Sequence, residues 1–253
     1  MPTYREVLRI NEKYAVDNFK EDSAVKILLL HFSKMESSEL LMKIDEEMPT
    51  EIYDEFLFGV DKYIVRNIPV QHITGYEYFF GHKFIVNGDV LIPRNETEEL
   101  VANVLMYYDE VFGDTKVDVL DIGTGSGCLA ITLDIEEENM NVTATDISEE
   151  MVAVAGEKTR TKSNVTCSVL DANNIASLHP QTFDVIFSNF GGLNCLSPED
   201  LREFIKAAAQ LLNPGGQLML VIMGKKSMWE RIYFNLKGEP EKAQRRNTSE
   251  ALL

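Results

Sequence analysis

From about residue 116 to residue 223 the chain alternates short apolar runs with amphipathic stretches, and this alternation constrains the fold more than any other feature. Strands are expected at residues 117–122, 141–147, 165–170, 183–189 and 217–223. Helices fall between them, notably over 149–161 and 198–212. The second of these carries Pro198 in its first turn, where a missing N–H leaves no bond unmade. Asn213-Pro214-Gly215-Gly216 is expected to stop that helix and turn the chain into the fifth strand. Strands separated by helical stretches need crossover connections. The expected fold is therefore α/β, a parallel Rossmann-like sheet with helices on both faces.

The first 72 residues read differently. Val25, Leu28, Leu29 and Phe32 recur at helical spacing behind a candidate cap at Asp22 or Ser23. Ser37 with Leu40, Leu41 and Ile44 suggests a second helix, and Thr50 is a candidate cap for a third, with Ile52, Phe56, Val60 and Ile64 on one face. Residues 75–93 are rich in aromatic and β-branched side chains, carry Asn87-Gly88 as a hairpin-turn signal, and end at Pro93. A helical period resumes over 96–108. The expected organisation is a helical domain at 1–72, a β-hairpin linker at 73–93, and an α/β domain at 94–253.

Charge and composition narrow the function. With 24 Lys+Arg against 41 Asp+Glu the net charge is −17, which disfavours direct binding to nucleic-acid phosphates. No apolar run approaches the length of a membrane span. The opening MPTYREVLRINEKY has no apolar core of a secretory signal. Cys128, Cys167 and Cys195 are widely spaced and form no CxxC pair, so a reduced, cytoplasmic setting is expected. His31, His72, His82 and His179 are scattered without ligand spacing, and no metal is expected.

The sharpest local signal is Asp121-Ile122-Gly123-Thr124-Gly125-Ser126-Gly127, at the end of the first predicted strand of the α/β domain. Glycines let the backbone bend sharply and approach a ligand closely. The spacing is G-x-G-x-G, unlike the G-x-G-x-x-G that accommodates a pyrophosphate. An acid two residues before the first glycine repels phosphate and suits an ammonium or sulfonium. Asp146 ends the second strand, where a carboxylate can accept both hydroxyls of a ribose. Asp171 follows the third. The alternative for Asp146 and Asp171 is helix capping, and for the glycine turn a loop of some other α/β enzyme.

This combination resembles the class I S-adenosylmethionine-dependent methyltransferases. The resemblance implies that Gly123, Thr124, Gly125 and Gly127 lie against the methionine and ribose part of S-adenosylmethionine, with Asp121 at the methionine end. It implies that Asp146 and Ile147 hold the ribose side, and Asp171 and Ala172 the adenine amine.

The first half allows a closer match. Residues 69–75 (PVQHITG), 79–84 (FFGHKF) and 90–98 (VLIPRNETE) are similar to the peptide chain release factor glutamine methyltransferases. Asn95 stands where that family has proline. The resemblance implies a release factor as partner, methylated on the side-chain amide of the Gln in its Gly-Gly-Gln tip. It also implies an Asn-Pro-Pro-Tyr loop after the fourth strand, whose Asn accepts a proton of the substrate amide while the aromatic ring covers the amide plane.

This chain reads Asn189-Phe190-Gly191-Gly192 there. Asn189 is the candidate that orients the acceptor, and Phe190 is the candidate aromatic face. Beyond about residue 142 the chain looks more like another branch of class I methyltransferases, acting on small molecules or lipids. Residues 226–236 read as a helix, and the antiparallel pair that normally closes the sheet is expected to be missing. Three readings stand at this point: a release-factor-type glutamine methyltransferase, a small-molecule or lipid methyltransferase, and a weakly catalytic module that binds cofactor or protein. The oligomeric state is not legible.

Overall fold

The computed structural model describes residues 1–189 and 192–222. Phe190, the helix expected at 226–236 and the question of the closing antiparallel pair lie outside these residues. The chain divides into two compact units, Met1–Tyr78 with Lys83–Ile92, and Phe79–His82 with everything from Pro93 onward.

The first unit is built from α1 (Tyr4–Asp17), α2 (Ser23–Ser33), α3 (Ser37–Met42), α4 (Thr50–Ile64) and α5 (Val70–Thr74). Helix α1 opens with a reciprocal cap: Thr3 Oγ1 accepts the Glu6 N–H at 3.3 Å, and Glu6 Oε2 accepts the Thr3 N–H at 2.9 Å. The Thr-x-x-Glu spacing is the sequence signal for that start. Tyr4, Val7, Leu28, Leu29, Leu40, Phe56 and Val60 close one core. Helices α2 and α4 pass so closely that a Cβ on Gly59 would lie 2.3 Å from the Phe32 ring. Asp22 takes the N-cap position of α2, as expected, without a capping bond from its side chain, whereas Pro49 and not Thr50 takes that position in α4. The boundary drawn at 72 falls inside α5.

The hairpin comprises β1 (Tyr76–Phe79) and β2 (His82–Ile85). Its turn is not Asn87-Gly88 but Phe80-Gly81, with φ of +50° and +78°. Two consecutive left-handed residues are what a two-residue hairpin of natural twist requires. Asn87 uses its side chain instead, accepting the Asp89 N–H at 3.0 Å in a bend beyond β2.

The second unit holds α6 (Asn95–Val111), β3 (Val117–Ile122), α7 (Cys128–Glu136), β4 (Met140–Asp146), α8 (Glu149–Thr159), β5 (Val165–Val169), β6 (Phe183–Ser188), α9 (Pro198–Leu211) and β7 (Leu212–Leu220). The sheet order is β5-β4-β3-β6-β7, with every neighbouring pair parallel. Connections run outward from β3 to one side, then return and run to the other. Right-handed crossovers therefore place helices on both faces. Leu120, Ile122 and Ile186 pack with Phe204, Ala208 and Leu211 of α9 on one of those faces. Burial on both faces suits the apolar residues of β3, Val117, Val119, Leu120 and Ile122, and makes the buried Asp121 among them an exception.

The fifth strand starts earlier than expected. Leu212 already pairs with Phe183, and Gln217 with Val185, so Asn213-Pro214-Gly215-Gly216 is an irregularity within the strand rather than a turn before it. Glycine is needed at 216, because a Cβ there would sit 2.9 Å from the Asp184 carbonyl oxygen.

Candidate active site

Strand β3 is central, with β4 on one side and β6 on the other. In such a sheet the crevice outside the carboxyl ends of the strands, where their order reverses, is the place for a ligand. Both neighbours clamp the end of β3. The Thr145 hydroxyl donates to the Asp121 carbonyl at 2.9 Å, and the Ser188 hydroxyl to the Ile122 carbonyl at 2.8 Å.

The turn that follows has Gly123, Gly125 and Gly127 at φ of +79°, +56° and +82°. Space forbids side chains as well: a Cβ on Gly123 would lie 3.2 Å from the Gly192 Cα, and one on Gly127 3.0 Å from the Ala155 Cβ. The amides of this turn are largely spoken for. Gly123 and Thr124 both donate to the Thr145 carbonyl at 2.8 Å, and Gly127 donates to the Thr124 carbonyl at 3.0 Å. Gly125 N–H donates to Asp146 Oδ2 at 2.8 Å. A phosphate cradle needs such N–H groups unspent. This turn, with a carboxylate already on it, does not provide one, and a dinucleotide reading loses its physical basis.

Asp121 is 1% exposed, and its Oδ2 has no hydrogen-bond partner among the described residues. Burial pushes its carboxyl up to about 7; the neighbouring Thr124 hydroxyl pulls it down and the charge of Asp146 adds to the rise. The Thr124 hydroxyl falls short of a well-formed bond and is itself a buried polar atom without a partner. A buried, unpaired carboxylate costs several kcal/mol unless a cation or a donor reaches it.

Asp146 stands at the end of β4, where its two oxygens take the N–H groups of Gly125 at 2.8 Å and Ser148 at 3.0 Å. A carboxylate has about four acceptor positions, so it retains capacity for two more donors. Ile147 beside it is 67% exposed. Asp171 caps the short 3-10 helix Ala172–Leu178 by accepting the Asn173 N–H at 2.9 Å. That bond occupies one acceptor position of the Asp171 carboxylate and leaves the others available, and Ala172 next to it is half-buried.

Asn189 lies one residue past β6. Its Nδ2 donates to Thr97 Oγ1 at 2.9 Å, while its Oδ1 is buried without a partner among the described residues. Thr97 is 6% exposed, in the first turn of α6. The sequence reading missed this contact; the two residues are 92 positions apart and no local spacing joins them. It also missed Lys158, a half-buried cation on α8 whose Nζ donates to the Ser126 carbonyl at 3.4 Å and whose ammonium is held below its ordinary range by burial. Cys128, in the first turn of α7, has its thiol pushed up to about 12 by burial and is a packing residue rather than a nucleophile. Among the described residues no three His, Cys, Asp or Glu side chains gather as a metal site, and no helix is long and apolar enough to cross a membrane.

Residues 119–216 match the family described as a methyltransferase domain. The match falls on the unit built on β3–β7. Residues 12–75 match the family described as the PrmC N-terminal domain. A release factor glutamine methyltransferase of Bacillus cereus is 41% identical over 155 residues, which cover 61% of this chain and 54% of that protein. One of Bacillus subtilis is 42% identical over 156 residues, with 61% and 54% covered. One of Enterococcus faecalis is 31% identical over 186 residues, with 74% and 65% covered. The chain spans about half the length of the first two of these relatives that it matches.

Proposed function

We propose that this chain transfers a methyl group from S-adenosylmethionine to the side-chain amide nitrogen of a glutamine in a peptide chain release factor. The observation that carries this reading is Asn189, whose amide nitrogen is tied to Thr97 while its buried oxygen has no partner among the described residues. An acceptor at the end of β6 suits a ligand that brings an N–H, as a primary amide does.

The residues present fit the cofactor. The unpartnered Asp121 oxygen suits its positive charge, the remaining acceptor capacity of Asp146 suits its ribose hydroxyls, and the glycine turn admits it without side chains in the way. Gly123, Thr124, Gly125 and Gly127 would line the methionine and ribose part, with Ile147, Asp171 and Ala172 toward the base. When bound, S-adenosylmethionine supplies an electrophilic methyl on a positively charged sulfur, for an acceptor nitrogen that gives up one proton.

An amide nitrogen is a poor nucleophile because its lone pair is shared with the carbonyl. Asn189 Oδ1 would accept one N–H of the acceptor amide, orienting the group and favouring the form with more electron density on nitrogen. Preorganised dipoles of this kind need no reorganisation at the moment of reaction. Phe190 is the candidate to cover the amide plane. The partner is a protein, and its work in translation termination gives the reading a cytoplasmic setting.

The test is to incubate the chain with a release factor and methyl-labelled S-adenosylmethionine, then sequence the tip peptide by mass spectrometry. One added methyl on the Gln of Gly-Gly-Gln is expected. Cofactor binding with no label on that peptide overturns the reading. In the same preparation, Asp146→Ala should weaken S-adenosylhomocysteine binding by about 1–3 kcal/mol in calorimetry, the cost of losing a half-buried charged hydrogen-bond acceptor. Unchanged affinity would remove Asp146 from the cofactor site.

A further inference from the structure

We propose that Thr97 is a positioning residue, whose hydroxyl oxygen holds the Asn189 amide so that its carbonyl oxygen is the one left free at the end of β6. The inference rests on the reading of Asn189 as the residue that orients the acceptor amide.

A primary amide presents two faces of nearly equal size, one a donor and one an acceptor. The torsion that exchanges them is broad, so shape alone does not choose between them. At Asn189 the Thr97 oxygen takes the donor face: Nδ2 donates to Thr97 Oγ1 at 2.9 Å, and Oδ1 is left buried without a partner among the described residues. An unsatisfied buried carbonyl costs about 1–3 kcal/mol. The molecule carries that cost at a strand end facing a candidate cofactor turn, where an incoming N–H would relieve it.

Thr97 is well placed to hold something still. It sits in the first turn of α6, is 6% exposed, and donates its own N–H to the Arg94 carbonyl at 2.9 Å. The next residue, Glu98, accepts the Phe80 N–H at 2.7 Å, which pins the same turn from another side. The hydroxyl is thus mounted on a fixed element, as a group that orients another must be. Ser188, just before Asn189, is clamped to the Ile122 carbonyl at 2.8 Å, so the backbone that carries Asn189 is fixed as well. What remains free is the rotation of the amide, and Thr97 removes it. Valine at 97 would keep the volume and lose the acceptor, leaving Nδ2 buried with nothing to bond.

Thr97→Val and Thr97→Ser test the proposal in the full chain. With a release factor as substrate, Thr97→Val should lower kcat by about 10- to 100-fold, the range for a misplaced reacting group. KM and the affinity for S-adenosylhomocysteine should change by no more than about twofold, because neither ligand touches Thr97 in this account. Thr97→Ser should restore most of kcat. In an Asn189→Ala background Thr97→Val should cause no further loss, since it acts through Asn189. Full kcat in Thr97→Val, or an additional loss in the Asn189→Ala background, overturns the proposal.

If the wild-type chain transfers no methyl to a release factor, the functional reading fails, and a second readout still decides the role of Thr97. The Asn189 side-chain amide protons, followed by nitrogen-15 NMR, should be distinct and slow to exchange in the wild type and in Thr97→Ser. They should move and exchange faster in Thr97→Val. An unchanged Asn189 amide in Thr97→Val overturns the proposal. Thr97→Ala serves the same spectrum if the valine variant does not fold.

Discussion

Asn189→Ala should reduce kcat for methyl transfer to a release factor by about 10²–10³-fold, the usual effect of deleting one preorganised polar group at a reacting centre. Its Oδ1 is the buried acceptor left without a partner, and Nδ2 is already committed to Thr97. The affinity for S-adenosylhomocysteine should move by less than about threefold, because the cofactor's charged and ribose parts fall to Asp121 and Asp146 in this reading. Asn189→Asp offers a sharper comparison. It keeps one oxygen in the position of Oδ1 and turns the other toward a Thr97 hydroxyl that can donate as well as accept. It should therefore retain more activity than the alanine variant, with a pH dependence of kcat at saturating cofactor that the wild type does not show there. Stopped transfer with lost cofactor binding would instead place Asn189 on the wall of the cofactor pocket.

The parts of this architecture that were legible in the sequence are those set by local pattern. Strands β3, β4, β5 and β6 all overlap the runs expected at 117–122, 141–147, 165–170 and 183–189, because apolar and β-branched residues bounded by turn signals mark a strand whether it is central or, like β5, at the sheet edge. The glycine turn was legible because its left-handed φ values admit few other residues. Asn87-Gly88 misled, since a good turn signal says that the chain can bend there and not that two strands meet across it. Asn213-Pro214-Gly215-Gly216 misled in the same way: pairing with β6 begins at Leu212, before the breakers, and the sheet absorbs them as an irregularity. Asp171 shows the limit for side chains. An acid after a strand reads equally as a ligand or as a cap, and the bond Asp171 accepts from the Asn173 N–H leaves acceptor positions for either role. The Thr97–Asn189 bond was out of reach for a different reason, because only the tertiary fold brings α6 to the end of β6.

The second large effect is a dependence on pH centred on Asp121. Burial raises its carboxyl from 3.8 to about 7. In the unfolded chain this group ionises near 4, whereas in the folded protein it stays protonated until about 7. Below pH 4 both states carry the proton and Asp121 contributes nothing to pH dependence. As pH rises from 4 to 7 only the unfolded state gives it up, so stability falls, by about 4 kcal/mol when the interval is complete. Asp121→Asn removes the charge. It should raise the melting temperature at pH 8, by the equivalent of about 1–3 kcal/mol once the imperfectly bonded buried amide is counted against the gain. At pH 5 the two proteins should melt close together.

Cofactor binding should run the other way. A cation beside Asp121 favours its ionised form, so S-adenosylmethionine binding below pH 7 should expel a proton, and affinity should climb up to tenfold per pH unit before levelling above 7. Calorimetry in two buffers of different ionisation enthalpy counts that proton directly. S-adenosylhomocysteine separates the sources of the charge: it keeps the ammonium and lacks the sulfonium, so an equal proton count assigns Asp121 to the ammonium, and a smaller one to the sulfur. The asparagine variant should bind both more weakly and with a flat pH profile. A wild-type affinity that ignores pH between 5 and 8, with no proton released, would mean that the cofactor never meets this carboxylate. The destabilisation Asp121 imposes on the free protein would then have no counterpart in binding.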